Sequence, residues 1–135
     1  MAELNIEILT PARVMKKLTA TQVQVPGILG CMGILPGHAT LASELGTGEL
    51  EVKGGEAGKD DHFFVSGGYI EVDDNSVKLL VDICERYDEI DKDRAASARK
   101  RAEDRLAGTE KIDSVRAQAA LQRAAARLML VAKKG

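Results

Sequence analysis

Apolar and polar residues alternate along the first two thirds of the chain. In LNIEIL, Leu4, Ile6 and Ile8 alternate with Asn5 and Glu7; in TQVQV, Val23 and Val25 alternate with Gln22 and Gln24; in ELEV, Leu50 and Val52 alternate with Glu49 and Glu51. A period of two with one apolar face predicts half-buried strands. The segments HFFVSGG, YIEV and SVKLLVDI continue the series, with Asp73, Asp74 and Asn75 as a tight turn and KGGEAGKDD as a longer polar loop. Many short strands separated by Gly and Asp turns predict an antiparallel β-sandwich or flattened barrel over residues 1–86.

The pattern changes near Asp88. DEIDKDRAASARKRAEDRLAG opens with Asp88, Glu89, Asp91 and Asp93, acids suited to the positive end of a helix, and stops at Gly108, a residue type favoured just past a helix end. A helix of about five turns is expected. After a short connection around residues 109–110, DSVRAQAALQRAAARLMLVAKK starts a second helix near Asp113 or Ser114 and closes on Lys133 and Lys134. Helices joined by so few residues fold back on each other, so residues 87–135 form an antiparallel α-helical hairpin.

Its apolar faces are thin. Helix one offers Ala95, Ala98, Ala102 and Leu106; helix two offers Ile112, Val115, Ala119 and Ala126 on one stripe and Leu121, Leu128 and Val131 on another. Alanine faces remove little area from water, at roughly 25 cal/mol per Å² of apolar surface. High helix propensity with weak tertiary closure suits an element with two states. The same pattern also fits a permanently docked amphipathic hairpin.

The chain of 135 residues is 44% hydrophobic but only 3% aromatic, with no Trp, so a modest aliphatic core is expected. The net charge of −2 excludes a general nucleic-acid binder. It also hides an asymmetry: residues 88–135 carry 12 Lys and Arg against 8 Asp and Glu, while residues 1–87 carry 7 against 13. An acidic front and a basic tail predict two bodies with different partners. Cys31 and Cys84 lie far apart with no CxxC, and MAELNIEIL has no basic start followed by an apolar run, so both read as reduced cytosolic thiols. No apolar run approaches the roughly 18 to 20 residues of a membrane helix, and direct membrane insertion is not expected.

Catalytic motifs are missing. GTGELE has Glu51 where a dinucleotide fingerprint needs its third Gly, and KGGEAGKD has Lys53 and Asp60 where a phosphate loop needs Gly and Ser or Thr; both read as turns. His38 and His62 have no Cys or acidic residue at ligand spacing, so no metal site is expected. Ser43 or Ser66 lacks the G-x-S-x-G elbow. A different constellation lies in the helices, where EIDKDRA places Asp91 and Arg94, and helix two places Arg123 and Arg127. Folding about residues 109–110 sets Arg94 opposite residue 125, between Arg123 and Arg127. Three guanidiniums around Asp91 form either a salt-bridged hairpin or an anion pocket with donors to spare for phosphate or a purine edge.

One stretch remains, GCMGILPGHATL, with three glycines, a proline and a lone histidine in twelve positions and no catalytic pair. Taken with it in order, VQVPGILGCMGILPGHATLASEL, FFVSGGYIEVDDNSVKLLVD and ERYDEIDKDRAASARKRAEDRL resemble the epsilon-subunit family of bacterial F-type ATP synthases, from about Ile6 to Ala132. The combined motifs G-x-L-P-G-H-A, S-G-G-hydrophobic-x-E-V and I-D-x-x-R-A carry the resemblance. Cys31 stands where the family usually has a polar or acidic residue, and Thr40 where it commonly has proline.

The resemblance implies a non-catalytic subunit at the foot of the central stalk, with a sandwich followed by a helical hairpin. It implies that residues 1–86 bind the gamma subunit and the c-subunit ring and turn with the rotor, coupling proton flow to ATP synthesis. The loop of Gly27, Ile28, Leu29, Gly30, Cys31 and Met32 would face the c ring, and Pro36, Gly37, His38, Ala39 and Thr40 would face gamma. The helices would extend into the catalytic head of alpha and beta subunits and inhibit hydrolysis. Ile90, Asp91, Arg94 and Ala95, with Arg123 and Arg127, would bind a regulatory ATP, with no cofactor required. The complex would place the chain peripherally on the cytoplasmic face of the bacterial inner membrane. Two other functions fit the residues alone: a free-standing ATP-sensing or protein-interaction module, and, third, a β-sandwich enzyme.

Overall fold

The computed structural model describes residues 3–12, 14–55, 58–108 and 114–134, the side chains of Val14 and Met15 excepted. The chain divides into two compact units, Met1–Glu85 and Arg86–Gly135.

The first unit holds eight strands: β1 (Leu4–Leu9), β2 (Val14–Ala20), β3 (Gln22–Gly27), β4 (Gly30–Ile34), β5 (Leu41–Glu44), β6 (Thr47–Lys53), β7 (Asp61–Asp73) and β8 (Ser76–Arg86). They run in the order β2-β1-β8-β7-β6-β3-β4, with β5 paired to β7. The expected alternation sets the core. Leu4, Ile6 and Ile8, Val23 and Val25, and Leu50 and Val52 are all buried together with Phe63, Val65, Ile70, Val72, Val77 and Leu79. The antiparallel expectation needs one correction, because β1 runs parallel to β8, Ile6 facing Val77 and Ile8 facing Leu79. Its hairpin partner β2 restores the antiparallel sense with Ile6 opposite Leu18.

HFFVSGG and YIEV are a single strand of 13 residues bent at its glycines. Residues 61–66 pair with β6, and residues 69–72 pair with β5. Between them Gly67 and Gly68 take φ of +72° and +118°, and a Cβ on Gly68 would lie 2.0 Å from the Leu80 carbonyl oxygen. Only glycine permits that change of partner. The turn after β7 also follows its residues. Asp74 and Asn75 adopt φ of 46° and 64°, the two positive values of a type I′ hairpin turn. GTGELE is not a turn throughout, since Thr47 and Gly48 already belong to β6.

In the second unit, Tyr87–Glu89 form a single 3₁₀ turn. Helix α1 (Lys92–Ala107) follows, capped by the Asp91 carboxylate, which accepts from the Arg94 backbone N–H at 3.0 Å. At 16 residues it is shorter than expected, because the first acids lie in the 3₁₀ turn. Gly108 ends it, yet with φ −77° and ψ 171° rather than the left-handed form, its N–H donating to the Arg105 carbonyl. Helix α2 (Ser114–Lys134) packs on α1 to complete the hairpin. The expected connection at residues 109–110, the start at Asp113 and the apolar Ile112 lie outside the described residues. Buried positions are Ala95 and Ala102 on α1 and Ala117, Ala124 and Leu130 on α2. The stripe through Val115 does not face inward, for Val115 is 78% exposed, and Leu106 is also exposed. Spacings of seven between alanines replace the broader stripe, since small side chains are what two closely approaching helices accommodate.

Candidate functional site

The glycine-rich stretch builds two rigid features on the sandwich. Strands β3 and β4 pair from Val23 opposite Ile34 to Gly27 opposite Gly30, leaving Ile28 and Leu29 as a two-residue tip. The residues at its base are dictated by space: a Cβ on Gly27 would meet the Gly30 carbonyl oxygen at 2.6 Å, and Gly30 has φ +135°. The Ile28 N–H donates to the Glu44 carbonyl at 3.1 Å, and the Gly46 N–H donates to the Pro26 carbonyl at 2.8 Å. The backbone is therefore anchored while the tip stands out, Ile28 at 57% and Leu29 at 100% exposure. Beside it Cys31 is a free, exposed thiol and Met32 is half-buried against the core.

The LPGH segment is a β-turn closed by the His38 N–H donating to the Leu35 carbonyl at 3.1 Å. Pro36 and Gly37, the latter at φ +85°, occupy the central positions that a type II turn reserves for Pro and Gly. The Gly37 N–H donates to Asn75 Oδ1 at 2.7 Å, and Thr40 Oγ1 reaches Asp73 Oδ1 at 3.5 Å. The turn after β4 is thus pinned to the turn after β7. His38 Nδ1 contacts the Ala39 carbonyl at 2.7 Å. Ala39, Thr40 and the large apolar Leu35 are exposed.

The six residues expected to bind nucleotide all fall in the second unit. Ile90 precedes the N-cap Asp91; Arg94 projects from the first turn of α1 and is exposed, and Ala95 is buried. Arg123 and Arg127 stand one turn apart on α2, both half-buried, a spacing that puts them on one face. The expected convergence on Asp91 is not an ion-pair cluster: among the described residues no ion pair joins Asp91 to Arg94, Arg123 or Arg127. The carboxylate is engaged instead by the Arg94 backbone.

Two further groupings escape a reading by linear spacing. The Tyr87 ring lies 4.8 Å from the Arg86 guanidinium carbon and 6.0 Å from Lys134 Nζ, joining the start of the second unit to the end of α2. Each such cation–π contact contributes about 0.5–1 kcal/mol at exposed sites. Arg86 also pairs with Asp88. In the first unit His62 is not without acidic neighbours: its Nδ1 lies 3.2 Å from Glu49 Oε2 and 3.6 Å from Glu51 Oε2. Pairing of β6 with β7 creates that contact, opposing Glu51 to His62 across the strands.

The delta/epsilon-chain models of ATP synthase match in two parts, the beta-sandwich domain over residues 3–87 and the long alpha-helix domain over residues 88–131. The ATP synthase epsilon chain of Nitratidesulfovibrio vulgaris is 48% identical over 126 residues, covering 93% of this chain and 92% of that one. That of Moorella thermoacetica is 44% identical over 129 residues, covering 95% and 96%. Among solved structures, a chain of the Euglena gracilis mitochondrial ATP synthase, determined by cryo-electron microscopy with OSCP, F1 and c-ring, superposes with a TM-score of 0.86 over 98% of this chain and 82% of its own. At 24% identity that likeness shows the fold. With both domain models matched in order and relatives above 40% identity across nearly the full length, the chain belongs to the ATP synthase epsilon-chain family.

Proposed function

We propose that this chain is the central-stalk subunit that turns with the rotor of a proton-translocating F-type ATP synthase, coupling proton flow to ATP synthesis and restraining ATP hydrolysis through its two C-terminal helices. The observation that carries the reading is the β3–β4 tip. An isoleucine and a leucine held out on an anchored turn gain nothing for the isolated fold, and such exposure marks a surface that meets a partner. We assign this tip, residues 27–32, to the c ring and the pinned turn of residues 36–40 to the gamma subunit. Two rigid features, one at each end of β4, suit docking without chemistry, in keeping with a non-catalytic subunit of the synthase complex.

The helices carry the regulation. Their buried face is nearly all alanine, so closure is weak, and extension toward the alpha and beta subunits costs little. We assign a regulatory ATP to Ile90, Asp91, Arg94, Ala95, Arg123 and Arg127. No described helix is long and apolar enough to cross a membrane, and the proposed location is peripheral, on the cytoplasmic face of the inner membrane.

Truncation after Arg86 tests the division of labour. Residues 1–86 should co-purify with gamma and the c ring and support proton-driven synthesis, while restraint of hydrolysis should disappear from the reconstituted enzyme. A folded fragment that fails to assemble would move the rotor contacts into the helices. A free-standing ATP-sensing module, by contrast, would not co-purify with gamma at any length. The placement of the tip has its own readout. Alkylation of Cys31, exposed in the free subunit, should slow markedly in the assembled enzyme, because labelling needs solvent access to the thiolate. Equal rates in the two states would remove the c ring from the tip.

A further inference from the structure

The face of β6 opposite Leu50 and Val52, with the adjoining part of β7, gathers Glu49, Glu51 and His62, whose donor atoms all lie within 4.8 Å of one another. Strand geometry places them there: Glu49 and Glu51 are two apart on one strand and share a face, and His62 stands opposite Glu51 on the next. The imidazole is only 6% exposed, and the Glu49 and Glu51 side chains 23% and 14%. Lys53 Nζ holds Glu51 Oε1 at 3.1 Å, which turns the other oxygen of that carboxylate toward the histidine.

Two sheltered carboxylates this close repel each other, and a cation between them relieves the repulsion. The imidazole supplies one only when protonated. A divalent ion supplies it with the imidazole neutral and ligating. The distances fit an ion that takes mixed nitrogen and oxygen ligands: with metal–ligand bonds of about 2.0–2.1 Å, separations of 3.2 and 3.6 Å from the nitrogen to the two oxygens correspond to angles near 100–125° at the metal, around the tetrahedral value. A rotation of either glutamate closes the remaining separation. We propose that Glu49, Glu51 and His62 form a binding site for a zinc-class divalent ion that ties β6 to β7, with the fourth position left to solvent.

The test uses the full chain, stripped with a chelator and titrated with cobalt(II), whose visible absorption reports a four-coordinate site, followed by displacement with zinc. One equivalent should bind saturably, and zinc should raise the melting temperature. His62→Gln and the double variant Glu49→Gln with Glu51→Gln should weaken binding at least about tenfold, the loss typical when only a group supporting a ligand is removed. His38→Gln and Cys31→Ser, which remove the other histidine and the exposed thiol, should bind as wild type. Wild-type protein without a saturable first equivalent overturns the proposal, as does undiminished binding by the double glutamine variant or loss of binding in Cys31→Ser.

Discussion

Replacing Gly68 with valine is expected to destabilise the sandwich by about 4 kcal/mol, the combined effect of forcing a branched residue to positive φ and of overpacking. The position has φ +118°, and any Cβ there would sit 2.0 Å from the Leu80 carbonyl and 2.8 Å from Val81 Cα. Both neighbours are backbone of the paired strand β8, and neither yields as a side-chain end would. The strain falls where β7 leaves β6 and takes up β5, so it is transmitted to two pairings of the core at once. For a unit of this size the melting temperature should fall on the order of 20 °C, measured by circular dichroism in the β-sheet region. Gly58→Ala is the matched comparison. It has φ +71° but nothing within 4 Å, so only the conformational cost of about 1 kcal/mol applies. Equal melting of the two variants would show that backbone approach does not govern this position.

The same glycines explain what was legible in the chain and what was not. Strands with one apolar face, such as residues 4–9 and 47–53, announce themselves because burial requires alternation. β4 and β5 do not: GCMGI has two glycines and one buried side chain, Ile34, and LASE has none. Their pairing is imposed by neighbours, Val25 opposite Met32 and Ser43 opposite Ile70. β2 hides for another reason, since Lys16 and Lys17 interrupt its apolar pattern; Lys16 reaches the largely buried Asp61 at 3.2 Å, and among the described side chains of the strand Leu18 and Ala20 are the inward apolar positions. The parallel sense of β1 against β8 joins residues some seventy positions apart, and no local pattern encodes it. In the site, the turns of the glycine-rich stretch were readable because Pro and Gly prescribe their own backbone angles. The Asn75 clamp on Gly37 and the carboxylates around His62 come from strand register, which linear spacing does not contain. In the helices, composition fixed the kind of element but left its rotation open, because alanine scattered all round α2 permits several inward faces; Val115 lies outward for that reason.

Replacing both Arg123 and Arg127 with alanine should weaken ATP binding to the isolated subunit on the order of a hundredfold or more, taking about 1.5–3 kcal/mol for each charge-assisted hydrogen bond removed. The two guanidiniums share a face of α2 and are half-buried, an arrangement that offers paired forks to phosphate oxygens. Asp91 is a poorer target for this test. Its carboxylate caps α1, and its removal would cost about 1 kcal/mol of helix stability besides any contact with nucleotide. The consequence for the complex follows from the weakness of closure. Of the five buried residues on α1 and α2 four are alanines, and a methyl group contributes only about 0.8 kcal/mol on burial. A ligand that binds only the closed hairpin, present at a hundredfold excess over its dissociation constant, adds about 2.7 kcal/mol, comparable with what these four methyl groups contribute together, and so shifts the balance toward closure. The double variant should therefore populate the extended form at ATP concentrations that close the wild type, and hydrolysis by the reconstituted enzyme should be more strongly restrained. Lys100→Ala, which removes an exposed cation from α1, should change neither quantity. Calorimetric titration of the isolated subunit reads the first effect, and steady-state hydrolysis across an ATP series reads the second. Wild-type protein that takes up no ATP at millimolar concentration would retire the nucleotide site. The rotor reading would stand in that case, because it rests on the tip at Ile28 and Leu29 and on the pinned turn at Gly37, both in the other unit.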